Sequence, residues 1–446
     1  MNVNIADILP LTPLQEGLFF HGVANSNEDQ VYNVQFSMEF VGSLRTDRMR
    51  AACTAVLERH SNLTAGFVIK NLSQPVQVIP SSFTVPWEFC DVSGAPDPTA
   101  EVSRIEEAQR VLRFDLQRPP LIRFALARTA DARHRLIVTF HHILIDGWSL
   151  PILINEFLQA YDNLDNYLEI PKASVFKNYL GWLKRRDTLA SEAKWLEVFE
   201  GFSTPLIVCP TVALDKSMFP EQRSVTRDSH FTSALVERSR ELGLTVSSVI
   251  YGCWALLVGF ITGGNDVAFG TAMSGRSPEV DGFDKAIGLF ITTVPLRVDF
   301  KNCESIVDVL VRLQDRRTWL SEHQYGVDLA RIQDQIGVGT LFDTFVVYEN
   351  YPSGQLAASK HVGGVDVQLV HGRDATHYPL ALSASMSGSE LSLRFDYRPD
   401  LFDRCSVERL VDRFIGLLQA VVANPEQRVG DIDLLTAQER ERLLVE

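Results

Sequence analysis

The sequence predicts an α+β protein built as two lobes. Three observations carry this. The chain has 446 residues, more than one ordinary core accommodates. Both halves mix apolar residues at helical spacing with runs alternating at period two. Between the halves lies a charged helical connector, residues 171–203, carrying Tyr179, Trp182, Leu183, Trp195, Leu196 and Phe199. The lobes so defined are residues 1–170 and 204–430, with a charged tail at 431–446.

The elements follow in order. Thr12 can cap a helix, Pro13 suits its first position, and Gln15 completes a Thr-x-x-Gln box. Gln30 to Glu39 has strand character. Thr46 to His60 reads as a helix with Met49, Cys53, Val56 and Leu57 inward. Strand-like runs at Thr64–Ile69, Val76–Ile79 and Leu121–Ala127 precede a strand at Arg135–Phe140, where Leu136, Val138 and Phe140 alternate with other residues. A helix follows, with Ile154, Phe157, Leu158 and Tyr161 on one face.

Past the connector, Thr204–Leu214 reads as loop or extended chain. Thr245 caps a helix over Val246–Thr262, which Gly263-Gly264 ends. Val267–Gly270, Asp343–Glu349 and Leu391–Tyr397 read as strands. Ser305–His323 and Cys405–Val422 read as helices, the latter with Leu410, Phe414, Leu417 and Leu418 on one side.

Composition excludes several classes. The formal net charge of −14, with no basic run longer than pieces such as Lys184-Arg185-Arg186, argues against nucleic-acid binding. The most apolar stretch, Val249–Thr262, is shorter than the roughly 20 residues of a membrane span. The first residues lack the basic region and apolar core of a signal peptide, so a cytoplasmic location and no membrane partner are expected. None of Cys53, Cys90, Cys209, Cys253, Cys303 and Cys405 forms a CxxC pair or stands at metal-ligand spacing, so free thiols are expected.

One stretch asks for chemistry: Phe140-His-His-Ile-Leu-Ile-Asp-Gly-Trp-Ser149. It lies where a strand ends and a helix begins, so rigid elements can hold a polar cluster in a cleft. Ordinary histidine titrates near a pKa of about 6.5, so a neutral His142 could accept a proton at cellular pH. Asp146 could fold back to hold the turn or pair with an arginine. Gly147 leaves room for a substrate or a backbone. The first amides of the helix at Ser149 and Leu150 could stabilise developing negative charge. The same spacing also fits a structural loop, with histidine packed in a core and Asp146 as a cap. Spacing alone leaves both readings open. A zinc site is disfavoured, because adjacent histidines point apart and no further ligand motif is present.

His141-His142-x-x-x-Asp146-Gly147 resembles the HHxxxDG signature of the condensation domains of nonribosomal peptide synthetases. The resemblance extends over nearly the whole chain. Leu9-Pro-Leu-Thr-Pro-Leu-Gln-Glu-Gly-Leu-Phe-Phe-His21 resembles the family's first motif, and Arg59-His60 with Leu63 and Phe67 its second. Phe269 to Arg276 and Ile287 to Arg297 resemble the central motifs. Glu322-His323-Gln324, Phe342-Asp343-Thr344 with Tyr348 to Pro352, and His377-Tyr378-Pro379-Leu380 resemble the late ones. The chain departs from the pattern at Thr64, Thr292 and Gly326-Val327-Asp328. Leu434 to Val445 resembles the linker toward an adenylation domain, which makes 431–446 its start.

The resemblance implies two chloramphenicol-acetyltransferase-like lobes in a V-shaped pseudo-dimer, with the site at their junction. It implies amide bond formation, in which an acceptor aminoacyl α-amine attacks a donor peptidyl thioester. An upstream donor carrier protein and a downstream acceptor carrier protein would bring both on 4'-phosphopantetheine arms. The domain would bind no cofactor itself. Carried over residue by residue, His142 is catalytic, as a base or by orienting the amine and the tetrahedral intermediate. His141 and Asp146 are structural, Asp146 through an ion pair with Arg276 from the second lobe. Gly147 keeps the substrate tunnel open. The opening motif, Asp-Gly-Trp-Ser and Tyr-Glu-Asn-Tyr-Pro resemble members that join a D-configured donor to an L-configured acceptor. The implied products are peptides such as antibiotics or siderophores. Alternatives within the fold are a non-catalytic domain that recruits a tailoring enzyme, and an epimerase. Recruiting domains tend to lose the second histidine or the Asp-Gly, and both are intact here. An epimerase has a different opening motif, and it needs a further carboxylate base that the sequence does not assign. A free-standing coenzyme A acyltransferase is disfavoured by the C-terminal linker.

Overall fold

A computed structural model describes residues 4–24, 32–69, 72–209, 219–325, 327–350 and 360–434. The first part runs β1 (Ile5–Pro10), α1 (Pro13–Ala24), β2 (Asn33–Gly42), α2 (Thr46–Arg59), β3 (Gly66–Val68), β4 (Val76–Pro80), β5 (Trp87–Asp91), α3 (Pro98–Val111), β6 (Ile122–Ala130), β7 (Arg133–His141), α4 (Ser149–Asp162), α5 (Leu164–Leu168), α6 (Val175–Lys184) and α7 (Thr188–Val198). The rest runs β8 (Glu221–Arg227), α8 (Ser229–Glu241), α9 (Val246–Thr262), β9 (Asp266–Met273), β10 (Thr292–Asp299), α10 (Ile306–His323), α11 (Leu329–Ile336), β11 (Thr344–Glu349), β12 (Lys360–Val362), β13 (Val365–Arg373), β14 (Leu380–Ser387), β15 (Glu390–Tyr397) and α12 (Arg404–Ala423).

Contacts divide the chain into two units, and not by a linear cut at 170 and 203. The first takes Met1–Arg186, Ser274–Ile291 and Tyr351–His377. The second takes Asp187–Met273, Thr292–Asn350 and Tyr378–Glu446. The boundary between Arg186 and Asp187 runs through the predicted connector. Arg276, expected in the second lobe, packs within the first unit.

The physical reason is strand pairing at long range. The first unit's six-stranded sheet has the order β12-β13-β2-β7-β6-β5. β13 pairs antiparallel with β2, placing Val367 opposite Phe40 and Gly372 opposite Phe36. A segment more than 300 residues downstream thus completes the sheet that carries the histidines. β2 pairs antiparallel with β7, setting Asn33 opposite His141. On α2 and α4 the predicted apolar stripes are buried: Met49, Cys53, Val56 and Leu57, and Ile154, Phe157, Leu158 and Tyr161. A smaller sheet, β1-β4-β3, completes the unit.

The second unit is built on the sheet β10-β9-β11-β14-β15-β8. Its central helix is α9, buried from Ser248 to Gly259. Thr245 caps it by accepting the Ser248 N–H, and Gly263 ends it in the left-handed conformation at φ 73°. Ser305 caps α10 in a reciprocal box with Asp308. Trp254, Phe395 and Phe414 pack edge-on or tilted at the heart of this core. All six cysteines are free, with Cys53 and Cys253 buried as their helical positions predict. Among the described residues no single helix is long and apolar enough to cross a membrane. Of the sequence expectations, Gly326, Tyr351-Pro352, Pro210–Leu214 and the linker beyond Leu434 lie outside the described residues.

Candidate active site

The motif begins as β7 ends. His141 is the last residue of the strand and is fully buried. Its Nδ1 accepts the Ile143 N–H at 3.2 Å, which assigns the proton of the neutral ring to Nε2. Its backbone N–H donates to the Leu121 carbonyl at 3.0 Å, and its own carbonyl accepts the Leu144 N–H at 3.1 Å. The strand's alternation turns the next side chain to the other face.

That next residue is His142, half-buried in the turn. Its backbone N–H donates to the Tyr32 carbonyl at 2.8 Å. Its ring is held by no hydrogen bond: Nδ1 is sheltered from solvent and has no partner among the described residues. Of the polar side chains of the motif, His142 alone is left unused by the fold among the described residues.

Asp146 is the opposite case. It is 2% exposed, and its carboxylate is saturated. Oδ1 accepts the N–H and faces the hydroxyl of Ser149, each at 2.8 Å. Oδ2 accepts the Phe290 N–H at 2.9 Å. The predicted pair with Arg276 is present at 3.5 Å, from Nη2 to Oδ1. Ser149 mediates much of it: its Oγ accepts from Arg276 Nη2 at 2.9 Å and from the Gly288 N–H at 3.1 Å. The single Ser149 proton faces both Asp146 Oδ1 and the Gly288 carbonyl, the latter at 2.8 Å. The Asp146 N–H also donates to Gly288 O, at 3.0 Å. One expectation changes here. The helix α4 begins at Ser149, but its first amide is taken by Asp146 and is not available to a substrate.

Arg276 fixes the segment around it. Nη1 donates to the Phe283 carbonyl at 2.5 Å and Nη2 to the Ala286 carbonyl at 3.1 Å. The guanidinium lies over the Phe290 ring, 4.7 Å from its centroid. A planar fork with a stacking face suits this site, and an ammonium would not fill it. Gly275 makes the close approach possible. A Cβ there would stand 1.8 Å from the Phe290 carbonyl oxygen, and φ is +61°. Asn62, from the second motif, donates to the Ile287 carbonyl at 3.0 Å.

Two supports went unread in the sequence. Gln15 was legible as a cap: its N–H donates to Thr12 Oγ1 at 3.2 Å and its Oε1 accepts the Thr12 N–H at 3.0 Å. Its Nε2 also donates to the Ile143 carbonyl at 3.0 Å, so the opening motif grips the histidine loop. Tyr32 carried no signal, because its part is played by a backbone carbonyl. Gly147 sits half-buried in the turn before α4. Of the departures, Thr64 is buried and donates to the Ser61 carbonyl at 2.8 Å, closing the turn before β3. Asp328 caps α11 by accepting the Arg331 N–H.

The turn thus brings together a buried histidine at a strand end, a half-buried one beside it and a saturated aspartate, in an α+β fold. Comparison narrows the class. The Condensation domain family matches residues 5–444, and the chain belongs to that family. It is 31% identical to a linear gramicidin synthase of Brevibacillus parabrevis over 99% of the chain, spanning 6% of that protein. It is 32% identical to the vanchrobactin synthetase of Vibrio anguillarum over 98% of the chain and 15% of that protein. The chain therefore spans a small part of the relatives it matches. The fold is shared with the first condensation domain of the calcium-dependent antibiotic synthetase. That structure is 20% identical, with 97% of this chain and 100% of that one covered and a TM-score of 0.76.

Proposed function

We propose that this domain forms amide bonds between two carrier-bound acyl groups, and that His142 is its catalytic residue. The acceptor α-amine attacks the donor thioester carbonyl. The C–N bond forms, the C–S bond breaks, and the thiol of the donor's phosphopantetheine arm leaves with the amine's proton. His142 takes or orients that proton at the attacking nitrogen. His141, Asp146 and Arg276 hold the turn, and Gly147 leaves space beside the imidazole. The carriers are an upstream donor and a downstream acceptor peptidyl carrier protein, with an adenylation domain following the chain. The arms are substrates, and the domain supplies no cofactor of its own. A cytoplasmic location goes with this reading, and the two contact units stand for the two lobes.

The observation that carries the assignment is the contrast within the motif. His141 and Asp146 are consumed by structural bonds, while His142 is clamped at its backbone and its ring Nδ1 has no partner among the described residues. Positioning a nucleophile in this way is worth several kcal/mol of barrier. The motifs that resemble D-donor, L-acceptor members set the stereochemical proposal. The test is a reconstitution with carriers bearing defined D- and L-aminoacyl groups, read by intact-protein mass spectrometry. A dipeptide from a D-donor on the acceptor carrier is expected. Epimerised monomer without dipeptide, or bound carriers without turnover, contradicts amide synthesis. Preference for an L-donor contradicts the stereochemical part alone.

A further inference from the structure

Three rings beside the motif have no part in the chemistry above. His21 lies exposed in the last turn of α1, and its ring covers that of half-buried His377 at 4.6 Å, with the planes 33° apart. His377 stands 6.0 Å from the buried Tyr32, and Tyr32 stands 5.8 Å from His141. The rings form a continuous file from α1 to the end of β7. Tyr32 is also the residue whose carbonyl accepts the His142 N–H at 2.8 Å. The file therefore ends on the backbone atom that fixes the catalytic residue. α1 grips the same loop at its other end, through Gln15 and the Ile143 carbonyl.

We propose that His21 and His377 are positioning residues for His142, wedging Tyr32 against His141 so that its carbonyl holds the His142 backbone in place. The inference rests on His142 being catalytic. Close-packed rings suit this duty, because two χ angles fix a large flat surface that cannot shorten or bend away. Packed imidazoles fit when they are neutral. Burial, and then the neighbouring His21, hold His377 below the ordinary histidine range. Arg113 donates to the carbonyl of Gly22, the residue after His21, at 3.5 Å.

The experiment is a steady-state condensation assay on the full chain with loaded carriers, comparing wild type, His142→Ala, His377→Ala, His377→Leu and His377→Phe. Removing the flat ring should lower kcat by about tenfold or more while leaving KM for the acceptor carrier unchanged, since a misplacement of about 1 Å can cost about a hundredfold and a smaller shift costs less. His377→Phe, a neutral ring, should restore kcat to within about threefold, a margin of under 1 kcal/mol. His377→Leu, which keeps volume and loses planarity, makes the same test should the Ala variant not fold. Wild-type kcat in His377→Ala or His377→Leu, or a His377→Phe variant as slow as they are, overturns the proposal. Rapid turnover by His142→Ala would strike the proposed function instead, so the two failures are distinguishable.

Discussion

Asp146 illustrates how the residue scale divides between what is local and what is not. Its place three residues before a helix start is legible, because Ser149 follows at capping distance. Its other partners, the Phe290 N–H and Arg276, come from a segment more than 120 residues away, and no local pattern announces them. Arg276 is reached only through the resemblance. This buried carboxylate serves three backbone or hydroxyl donors and a guanidinium, so Asp146→Ala strands them all. Such a loss costs about 3–5 kcal/mol, measurable as a drop in the denaturant midpoint. A change below about 1 kcal/mol would show that water replaces the carboxylate and that the turn does not depend on it. The His142 ring bears no such duty, so His142→Ala should melt within about 0.5 kcal/mol of wild type.

Elements with an apolar stripe are readable and elements without one are not. α2, α10 and α12 match their expected bounds within a residue or two because their buried positions recur at helical spacing, whereas α9, buried at every position from Ser248 to Gly259, is bounded by its Thr245 cap and its Gly263 stop. α3 buries only Val102, so its helical period is invisible in the apolar pattern. β8 is exposed along most of its length as the edge of its sheet, so it lacks alternation. The joint between α2 and α4 adds a polar lock. Glu156 of α4 takes Arg59 Nη1 at 2.6 Å, His60 Nε2 at 2.7 Å and the Tyr167 hydroxyl. Burial would raise the Glu156 carboxyl, but the bonds from His60 and Tyr167 and the charge of Arg59 outweigh it and hold it below its ordinary range. A depressed folded pKa adds stability above the ordinary glutamate value of 4.5, and that share is lost as pH falls through the folded value. Glu156→Gln should therefore be less stable than wild type at pH 7, and the gap should close in melts taken progressively below pH 4.5. A gap that persists unchanged into strong acid would show that the lock is not electrostatic.

At the scale of the molecule, the α+β class and the site-bearing strand–helix junction are legible, while the division of the chain is not. β12 and β13 return to the sheet of the first unit, and the register that brings them there is set by partners far off in sequence. The free thiols test the packing of both units at once. Cys303 and Cys405 are exposed, and Cys53 and Cys253 are buried. Burial pushes Cys90 up to about 11 and Cys209 to about 12, aided by Glu88 and Asp343. A disulfide reagent at neutral pH should label Cys303 and Cys405 first, and all six on unfolding. Early labelling of Cys53 or Cys253 would contradict the buried helix faces. The central claim is that His142 does chemistry while its neighbours hold it. Its most direct test is single-turnover dipeptide formation by wild type and His142→Ala at saturating acceptor carrier, with carrier binding measured alongside. The account predicts bound carriers and dipeptide formation slowed by about a hundredfold or more, the range of a lost acid–base or positioning group. Dipeptide formed by His142→Ala at the wild-type rate would contradict it.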